Sequence, residues 1–586
     1  MTKIHIAYDK AKSQFVVSCP FHANDLVMGL PSRRWNKTKR AWTAPCIRQN
    51  VTYLSEYLLP VSDVDDDARR AMDGALGAIQ AGASGDTWPA WYQFKMPPRP
   101  YQQAGLNKVY GLKGSALFMD MGTGKTKQAI DTACALRMED KIKIVLVICK
   151  LTLTPNWVAE FKKHASIEYD IFLPKTPRSP AVDKWMGEEL DFKIMVIGTE
   201  SLSQGRMFET AQRFLLSSTK AMVILDESHD IANHKAVRSE RVVELGRMAE
   251  YRMALTGTPI MDGPMNLYMQ FEFLDPNVIG IGDFYAFRNR YAVMGGWRDA
   301  KGRPMNIVGY QNLDELMALV GPYIFQVRKS EVLTELPPKR FKKHYVELLP
   351  EQKALIKELK HSKKYEWDHR GDSQEVVMKN VLELALRLHQ IVGGHVATRD
   401  KRSKFDKLTM EELFVDVTEM HEVIPPGKNP KVQETVAIIK ETQVSTVVWA
   451  VYRPELMAIR QELIRADVPA SHIGEIHGGV DEDERYAVLE KFQRGEIKYL
   501  LTNQQTGGTG YNMTAAELCI YYNNTFSMTA RAQSEDRAHR IGQTNSVLYI
   551  DLVAEKTIDE VVLAAIDQKM NLSEYIRGKF SLVTDD

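Results

Sequence analysis

The chemistry-bearing residues fall in three clusters. The string Asp120-Met121-Gly122-Thr123-Gly124-Lys125-Thr126 follows the apolar run Ser115–Met119 directly and precedes a helical pattern over Lys127–Met138. Glycines there let backbone N–H groups close around phosphate oxygens, a lysine reaches the outer phosphates, and a hydroxyl holds Mg²⁺. The general pattern has glycine where Met119 stands, so a glycine-rich turn without a ligand is the alternative. The second cluster is the apolar run Met222–Leu225, ending in Asp226-Glu227-Ser228-His229. Of two adjacent acids at a strand end, one holds Mg²⁺ and the neighbour polarises an attacking water; a solvated acidic pair is the alternative. The third holds Arg537 and Arg540, three residues apart and so on one face of a helix. Two guanidiniums near a nucleotide neutralise charge developing on the γ-phosphate, whereas a stray pair would be a basic surface helix with Glu535 and Asp536 as partners.

Such side chains must be carried by strand ends and helix starts. Ser115–Met119, Ile144–Cys149, Ile194–Ile197, Met222–Leu225 and Tyr251–Leu255 read as buried strands. Comparable runs in the second half are Thr446–Val451, Glu475–His477, Tyr499–Thr502, Leu518–Tyr522 and Leu548–Leu552. Amphipathic patterns alternate with them, which predicts two α/β halves with parallel sheets. Between the halves, residues 331–427 read as a charged, helix-rich bridging insertion, with helices at Pro350–Lys364 and Val376–Ile391.

The 586 residues are 44% hydrophobic and 26% charged, an ordinary globular balance that excludes a disordered or fibrous chain. No apolar run is long enough for a membrane span, and the start Met1–Ile6 lacks a signal peptide's apolar core. Five dispersed cysteines make neither a disulfide framework nor a thiolate metal site, which fits a reducing cytosol. Net charge is +1, yet residues 1–60 carry nine basic side chains against three acids. Acidic and then Gly/Ala-rich sequence over 61–95 reads as a linker. His389, His395 and His421 lack metal-ligand spacing and read as structural or surface histidines.

Order and wording of these motifs resemble the Swi/Snf family of DNA-dependent ATPases in helicase superfamily two, over about residues 96–570. Arg99-Pro100-Tyr101-Gln102 resembles the family's adenine-side motif, MGTGKT (121–126) its motif I, and Val145–Trp157 its Ia region. Asp226–His229 is similar to the DExH box, Leu255–Pro259 to motif III, Gly507–Asn512 to motif V and 537–543 to motif VI. Superfamily two commonly lacks the early glycine, which removes the objection at Met119. The resemblance implies an α/β fold of two RecA-like lobes, at 96–330 and 428–570, with a C-terminal tail at 571–586. It implies ATP bound with Mg²⁺ by Gln102, Met121, Gly122, Thr123, Gly124, Lys125, Thr126, Gly510 and Gln533. Thr126 and Asp226 would hold the metal, Glu227 would activate water, and Arg537 and Arg540 would complete catalysis. The expected activity is movement along double-stranded DNA, remodelling or reannealing DNA structures or displacing bound proteins in genome maintenance. A strand-separating DNA or RNA helicase and a non-catalytic ATP-responsive scaffold are the alternatives. Tyr511, where the family has leucine, and Phe526-Ser527-Met528, near its Trp-Asn-Pro, depart from the pattern beside the inferred DNA path.

The segment 1–60 resembles the HARP-type module of annealing helicases in Phe15–Ser18, Leu30–Asn36 and Lys37–Trp42. It is expected to be a small β-rich domain in which Arg33, Arg34, Lys37, Lys39 and Arg40 meet phosphates and the interleaved Trp35 and Trp42 stack on bases. Its alternative is a domain with core tryptophans and a solvated basic face. Lys339, Arg340, Lys342 and Lys343 are further candidates to line a duplex, against a solvated connector. Double-stranded or forked DNA is the expected partner of a monomeric chain, in the cytoplasm, nucleoid-associated or within an infected bacterial host.

Overall fold

The computed structural model describes residues 3–568 apart from 10–13, 21–22, 31–32, 46–47, 82–86, 178, 189–190, 261–262, 299–303, 334, 363, 370–371, 378–380, 407–410, 508–510 and 541. Two compact units divide at Val332/Leu333. The expected C-terminal tail lies outside the described residues. Among the described residues, no helix is long and apolar enough to cross a membrane.

The first unit begins with a sheet of β1 (Ile4–Asp9), β2 (Gln14–Ser18), β3 (Arg34–Asn36), β4 (Ala41–Pro45) and β5 (Ser62–Val64), in the order β3-β4-β2-β1-β5. β5 pairs parallel with β1, and helix α1 (Asp66–Ala81) follows it. Residues 61–81 are therefore not a linker but the closing part of this domain. Asp66 and Asp67 occupy the first turn of α1, where negative charge complements the helix dipole. Ala68 and Met72, four residues apart, join Ile6, Phe15, Val17 and Val27 in the small core.

Next come α2 (Pro100–Val109), β6 (Gly114–Met119), α3 (Lys125–Met138), β7 (Ile144–Cys149), α4 (Thr154–His164), β8 (Asp170–Phe172), β9 (Lys193–Gly198), β10 (Ala221–Asp226), β11 (Tyr251–Thr256) and β12 (Ile324–Val327). The strands form an all-parallel sheet in the order β12-β6-β11-β10-β7-β9-β8. Every residue of β6, β7 and β9 is buried, because helices cover both faces; such strands read as unbroken apolar runs. Alternate side chains feed two cores, Phe118, Leu146 and Val223 on one face and Leu117, Val145 and Ile224 on the other.

The second unit is built on β13 (Arg340–Val346), β14 (Thr446–Ala450), β15 (Ile473–Ile476), β16 (Tyr499–Asn503), β17 (Leu518–Tyr521) and β18 (Leu548–Ala554). They form a second parallel sheet in the order β13-β18-β17-β14-β16-β15. The chain is thus α/β with two parallel sheets and a small β-rich N-terminal domain, as expected. The interval 331–427 departs from its helical expectation. Helices Pro350–Ser362 and Val381–Gly393 are present, but β13 is an edge strand of the second sheet. Lys364–His369 pairs with Asp372–Val377, and His395–Asp406 pairs with Glu411–Glu422, each antiparallel. Charged side chains are an edge strand's ordinary defence against pairing, which is why Arg340–Val346 did not look like a strand.

Candidate functional site

In the first unit β6 and β10 lie on either side of β11, so their C-terminal ends point the same way and sit close together. The loop after β6 turns through Gly122 (φ 79°) and Gly124 (φ 91°) into α3. Both angles suit glycine, and a Cβ on Gly124 would also meet the Gln102 amide nitrogen at 2.2 Å. Gln102 is buried and donates from Nε2 to the Thr123 carbonyl (2.9 Å), while its Oε1 accepts the Arg99 N–H (2.9 Å). One amide N–H and one lone pair remain for a base. The loop is braced further by Thr123 Oγ1 donating to the Asp120 carbonyl (2.6 Å). Asp120 Oδ2 accepts the Lys329 N–H (2.9 Å), just beyond β12. Lys125 Nζ folds back to the Met119 and Asp120 carbonyls (2.8 and 3.4 Å). Met121, Lys125 and Thr126 are half-buried at the loop mouth.

Asp226 ends β10 with both oxygens engaged. Oδ1 accepts the Glu227 N–H and Oδ2 accepts the Trp157 indole N–H, each at 3.0 Å. Burial and the neighbouring Glu227 carboxylate push its carboxyl upward, while Lys125 and the indole pull it back. Lys125 therefore acts electrostatically on Asp226, which brings the phosphate-loop lysine and the acidic strand end into one site. Glu227 is buried in the left-handed region (φ 49°, ψ 51°), a strained conformation that clusters at functional sites. His229 Nδ1 lies 3.4 Å from Glu227 Oε2 and 2.9 Å from Thr256 Oγ1. Burial holds the imidazole below its ordinary pKa. The Thr258 N–H donates to Thr256 Oγ1 (3.0 Å), linking the acidic strand end to the loop after β11.

Nucleotide and metal chemistry can be tested against this set. One lone pair stays open on each Asp226 oxygen, a hydroxyl and an ammonium stand at the loop mouth, and the first N–H groups of α3 face outward along a helix start. These are the donors and acceptors that a magnesium-bound triphosphate needs.

In the second unit, Gln533 and Arg537 are both buried on α5 (Met528–Ala538), one helical turn apart. Arg540 is half-buried beyond the helix end, so the shared helical face expected for Arg537 and Arg540 is not formed. Gln543 stops the helix: its Nε2 lies within reach of the carbonyls of Ala538 (3.2 Å), Thr514 and Ala516 (3.0 Å each), and Gly542 turns at φ 100°. Gly510 lies outside the described residues. Glu535 and Asp536, the local partners in the surface-helix alternative, both take Lys339 Nζ, at 3.1 and 3.2 Å. Lys339 is thereby committed to the fold instead of lining a duplex. Arg340 Nε donates to Ser546 Oγ, and Lys343 lies 3.8 Å from Asp567. Lys342 sits exposed on the edge strand.

In the N-terminal domain, Lys37, Lys39 and Arg40 form the exposed turn between β3 and β4, with Arg34 exposed on β3. Trp35 is 50% exposed and meets its cross-strand partner Trp42 edge-on at 5.2 Å. Trp42 instead packs inward, its indole donating to Asn24 Oδ1 (3.1 Å), and Arg33 lies 5.4 Å from its ring. Lys39 also pairs with Asp9 at 2.7 Å.

Comparison with known proteins supplies the family. The SNF2-related domain model matches residues 101–395, more than half of the chain. The chain belongs to the SNF2-related family. A helicase conserved C-terminal domain model matches residues 428–542 of this SNF2-family chain, including Gln533, Arg537 and Arg540. A putative ATP-dependent helicase/translocase of Bacillus subtilis is 26% identical, over 84% of this chain and 50% of its own length. A DNA annealing helicase and endonuclease of Mus musculus is 27% identical, over 81% and 40%. A Caenorhabditis elegans homologue of a SWI/SNF-related matrix-associated actin-dependent regulator of chromatin is 25% identical, over 98% and 75%. This chain thus spans half or less of the first two. A solved SWI2/SNF2 ATPase core of Sulfolobus solfataricus in complex with dsDNA is similar over 84% of this chain and 96% of its own, at 23% identity and TM-score 0.35.

Sequence reasoning missed Trp157 as a partner of Asp226, 69 residues away, and Arg531 as an anchor of α5. A buried indole needs an acceptor for its N–H, which was the available signal for the first.

Proposed function

We propose that this chain is an ATP-driven motor that moves along double-stranded or forked DNA and remodels or reanneals it in genome maintenance. The observation that carries the reading is the convergence of Lys125 and Asp226, from opposite flanks of β11, into one electrostatically linked site. In this reading Lys125 and the N–H groups around Gly122–Gly124 bind phosphate oxygens, and the remaining Gln102 amide positions meet adenine. Thr126 and Asp226 hold Mg²⁺, which when bound neutralises phosphate charge. Glu227 orients and deprotonates the attacking water, with the His229 imidazole, fixed by Thr256 Oγ1, 3.4 Å from its Oε2. Arg537 and Arg540 supply cationic charge to the transferring phosphoryl group, and Gly510 and Gln533 complete nucleotide binding, roles proposed from their motifs.

The names of the bacterial and mouse relatives, helicase/translocase and DNA annealing helicase, support the DNA part of the proposal. The alignment with the worm relative extends over the N-terminal domain, which supports a shared role for it. That domain's basic turn and exposed Trp35 suit phosphate contact and base stacking. Phosphate release measured in parallel with no DNA, single strands, duplex and forked DNA tests the proposal. Duplex or fork stimulation is expected; hydrolysis indifferent to all four conditions would remove the DNA-dependent motor.

A further inference from the structure

We infer that Trp157 is a positioning residue for the metal-bound nucleotide, acting through the Asp226 carboxylate. The inference rests on the nucleotide-site reading above and deepens it.

A carboxylate at a strand end turns freely about its last torsion unless each oxygen is held. Here the Glu227 N–H holds Oδ1 and the indole N–H holds Oδ2, both at 3.0 Å, so the plane of the carboxylate is fixed. With one donor on each oxygen, one lone pair per oxygen remains for a metal or its water shell. The orientation needed for a metal or its water shell is set before any ligand arrives.

The indole is itself immobile. Trp157 is 1% exposed, in the first turns of α4, and packs on Phe161 with the core behind the sheet. Pro155 opens that helix, and Thr154 Oγ1 donates to the Leu151 carbonyl (2.9 Å). The Leu151 N–H in turn donates to Glu200 Oε2 (3.0 Å). Hydrogen bonds therefore tie the connection after β7 to the start of the helix that carries the indole. Partners that orient metal ligands in this way typically change metal affinity by about 10–100-fold when removed.

A purely structural reading is that Asp226 merely satisfies a buried indole. The two readings differ in what magnesium does. Binding of a fluorescent ATP analogue to the full chain would be titrated with Mg²⁺ for the parent, Trp157→Phe and Asp226→Asn, with thermal melting alongside. Trp157→Phe should bind nucleotide like the parent without Mg²⁺. Its half-saturating Mg²⁺ concentration should rise by about 10-fold or more. Asp226→Asn should lose most of the Mg²⁺ response.

If phenylalanine unsettles the fold, replacing Trp157 by benzothienylalanine keeps the bicyclic shape and removes only the N–H. A Mg²⁺ titration superimposable on the parent's, in a folded variant, overturns the role of Trp157. A parent that binds no nucleotide, or binds it without regard to Mg²⁺, overturns the site reading instead, so the two failures are distinguishable.

Discussion

Arg531 grips Asp551 with both ends of its guanidinium. Nη2 reaches Oδ2 at 3.0 Å, Nη1 reaches Oδ1, and the plane lies 3.6 Å from the Tyr521 ring centroid. Both partners are about 95% buried, and Arg531 also binds Glu535 Oε1 (2.8 Å) and Asn524 Oδ1 (2.8 Å). The pair bolts α5, which carries Gln533 and Arg537, to β18, the strand between edge strand β13 and β17 in the second sheet.

Breaking this pair from one side leaves a buried charge uncompensated. Asp551→Asn or Arg531→Met should each cost about 3–5 kcal/mol of stability. The double replacement Arg531→Met with Asp551→Asn should cost much less than the two singles together. Denaturant unfolding of the four proteins gives the coupling energy, and additive losses would mean that the contact is not a bonded unit.

Within the first unit, the lysine and the glutamate should separate binding from hydrolysis. Lys125→Ala removes the charge that meets phosphate, so nucleotide affinity and turnover should both fall. Glu227→Gln leaves phosphate contacts intact and should retain nucleotide binding while losing about 10²–10⁴ in hydrolysis rate. Equilibrium binding measured beside phosphate release checks both, and a Glu227→Gln protein with the parent rate would remove the base assignment.

How far the sequence carried this site depended on whether the signal was local. Ile144–Cys149 was legible because both its faces are covered and the whole run is apolar. Asp66–Ala81 was not, because alanines and glycines masked an Ala68/Met72 stripe that packs on only a small core. Arg340–Val346 carries Arg340, Lys342 and Lys343 and is exposed along most of its length, so neither an alternation nor an apolar run marks it as a strand. Arg540 looked helical by spacing, and only the Gln543 side chain, folding back on the helix end, reveals otherwise. Trp157 and Asp226 meet through the sheet's tertiary order, which no window of sequence contains.

A buried cluster in the second unit should give stability a maximum in pH. Burial lowers His389 to about 4, and burial with neighbouring His389 lowers His395 to about 3. Their stabilising contribution is full above the unfolded value near 6.5 and is lost as pH falls below it. Burial raises Glu455 to about 8, against the Val451, Tyr452 and Asn523 donors that bind it. Its folded state keeps a proton that the unfolded chain releases near pH 4.5, so this contribution falls as pH rises from there through 8. The two trends cross near pH 6.5. Glu455→Gln should therefore melt progressively higher relative to the parent as pH rises from about 4.5 to about 8, with the gap levelling off above that. A constant difference across the range would mean that Glu455 is ionised in the fold.

Removal of the N-terminal domain is informative only if the cut respects its packing. Deleting residues 1–60 would strip β1 from β5 and expose Ala68 and Met72, so that protein should be less soluble. Deleting residues 1–81 removes the whole sheet with α1, and every motor motif lies beyond residue 95. The shorter protein should hydrolyse ATP with duplex DNA and lose affinity for forked DNA. Arg33, Arg34, Lys37, Lys39 and Arg40 are the candidate phosphate-binding side chains of the deleted domain. Each phosphate that one of them neutralises should contribute about 0.9 to the log–log salt slope, so the truncated protein should show a flatter salt dependence. Trp35→Ala in the full chain should weaken fork binding without changing that slope, because stacking releases no counterions. Trp42→Ala should instead lower the melting temperature, since its ring packs in the core and its N–H binds Asn24. Fork-binding curves at several salt concentrations for parent, truncation and Trp35→Ala decide the matter. Superimposable curves would make this domain a packing or partner module, and its basic turn an ordinary solvated surface.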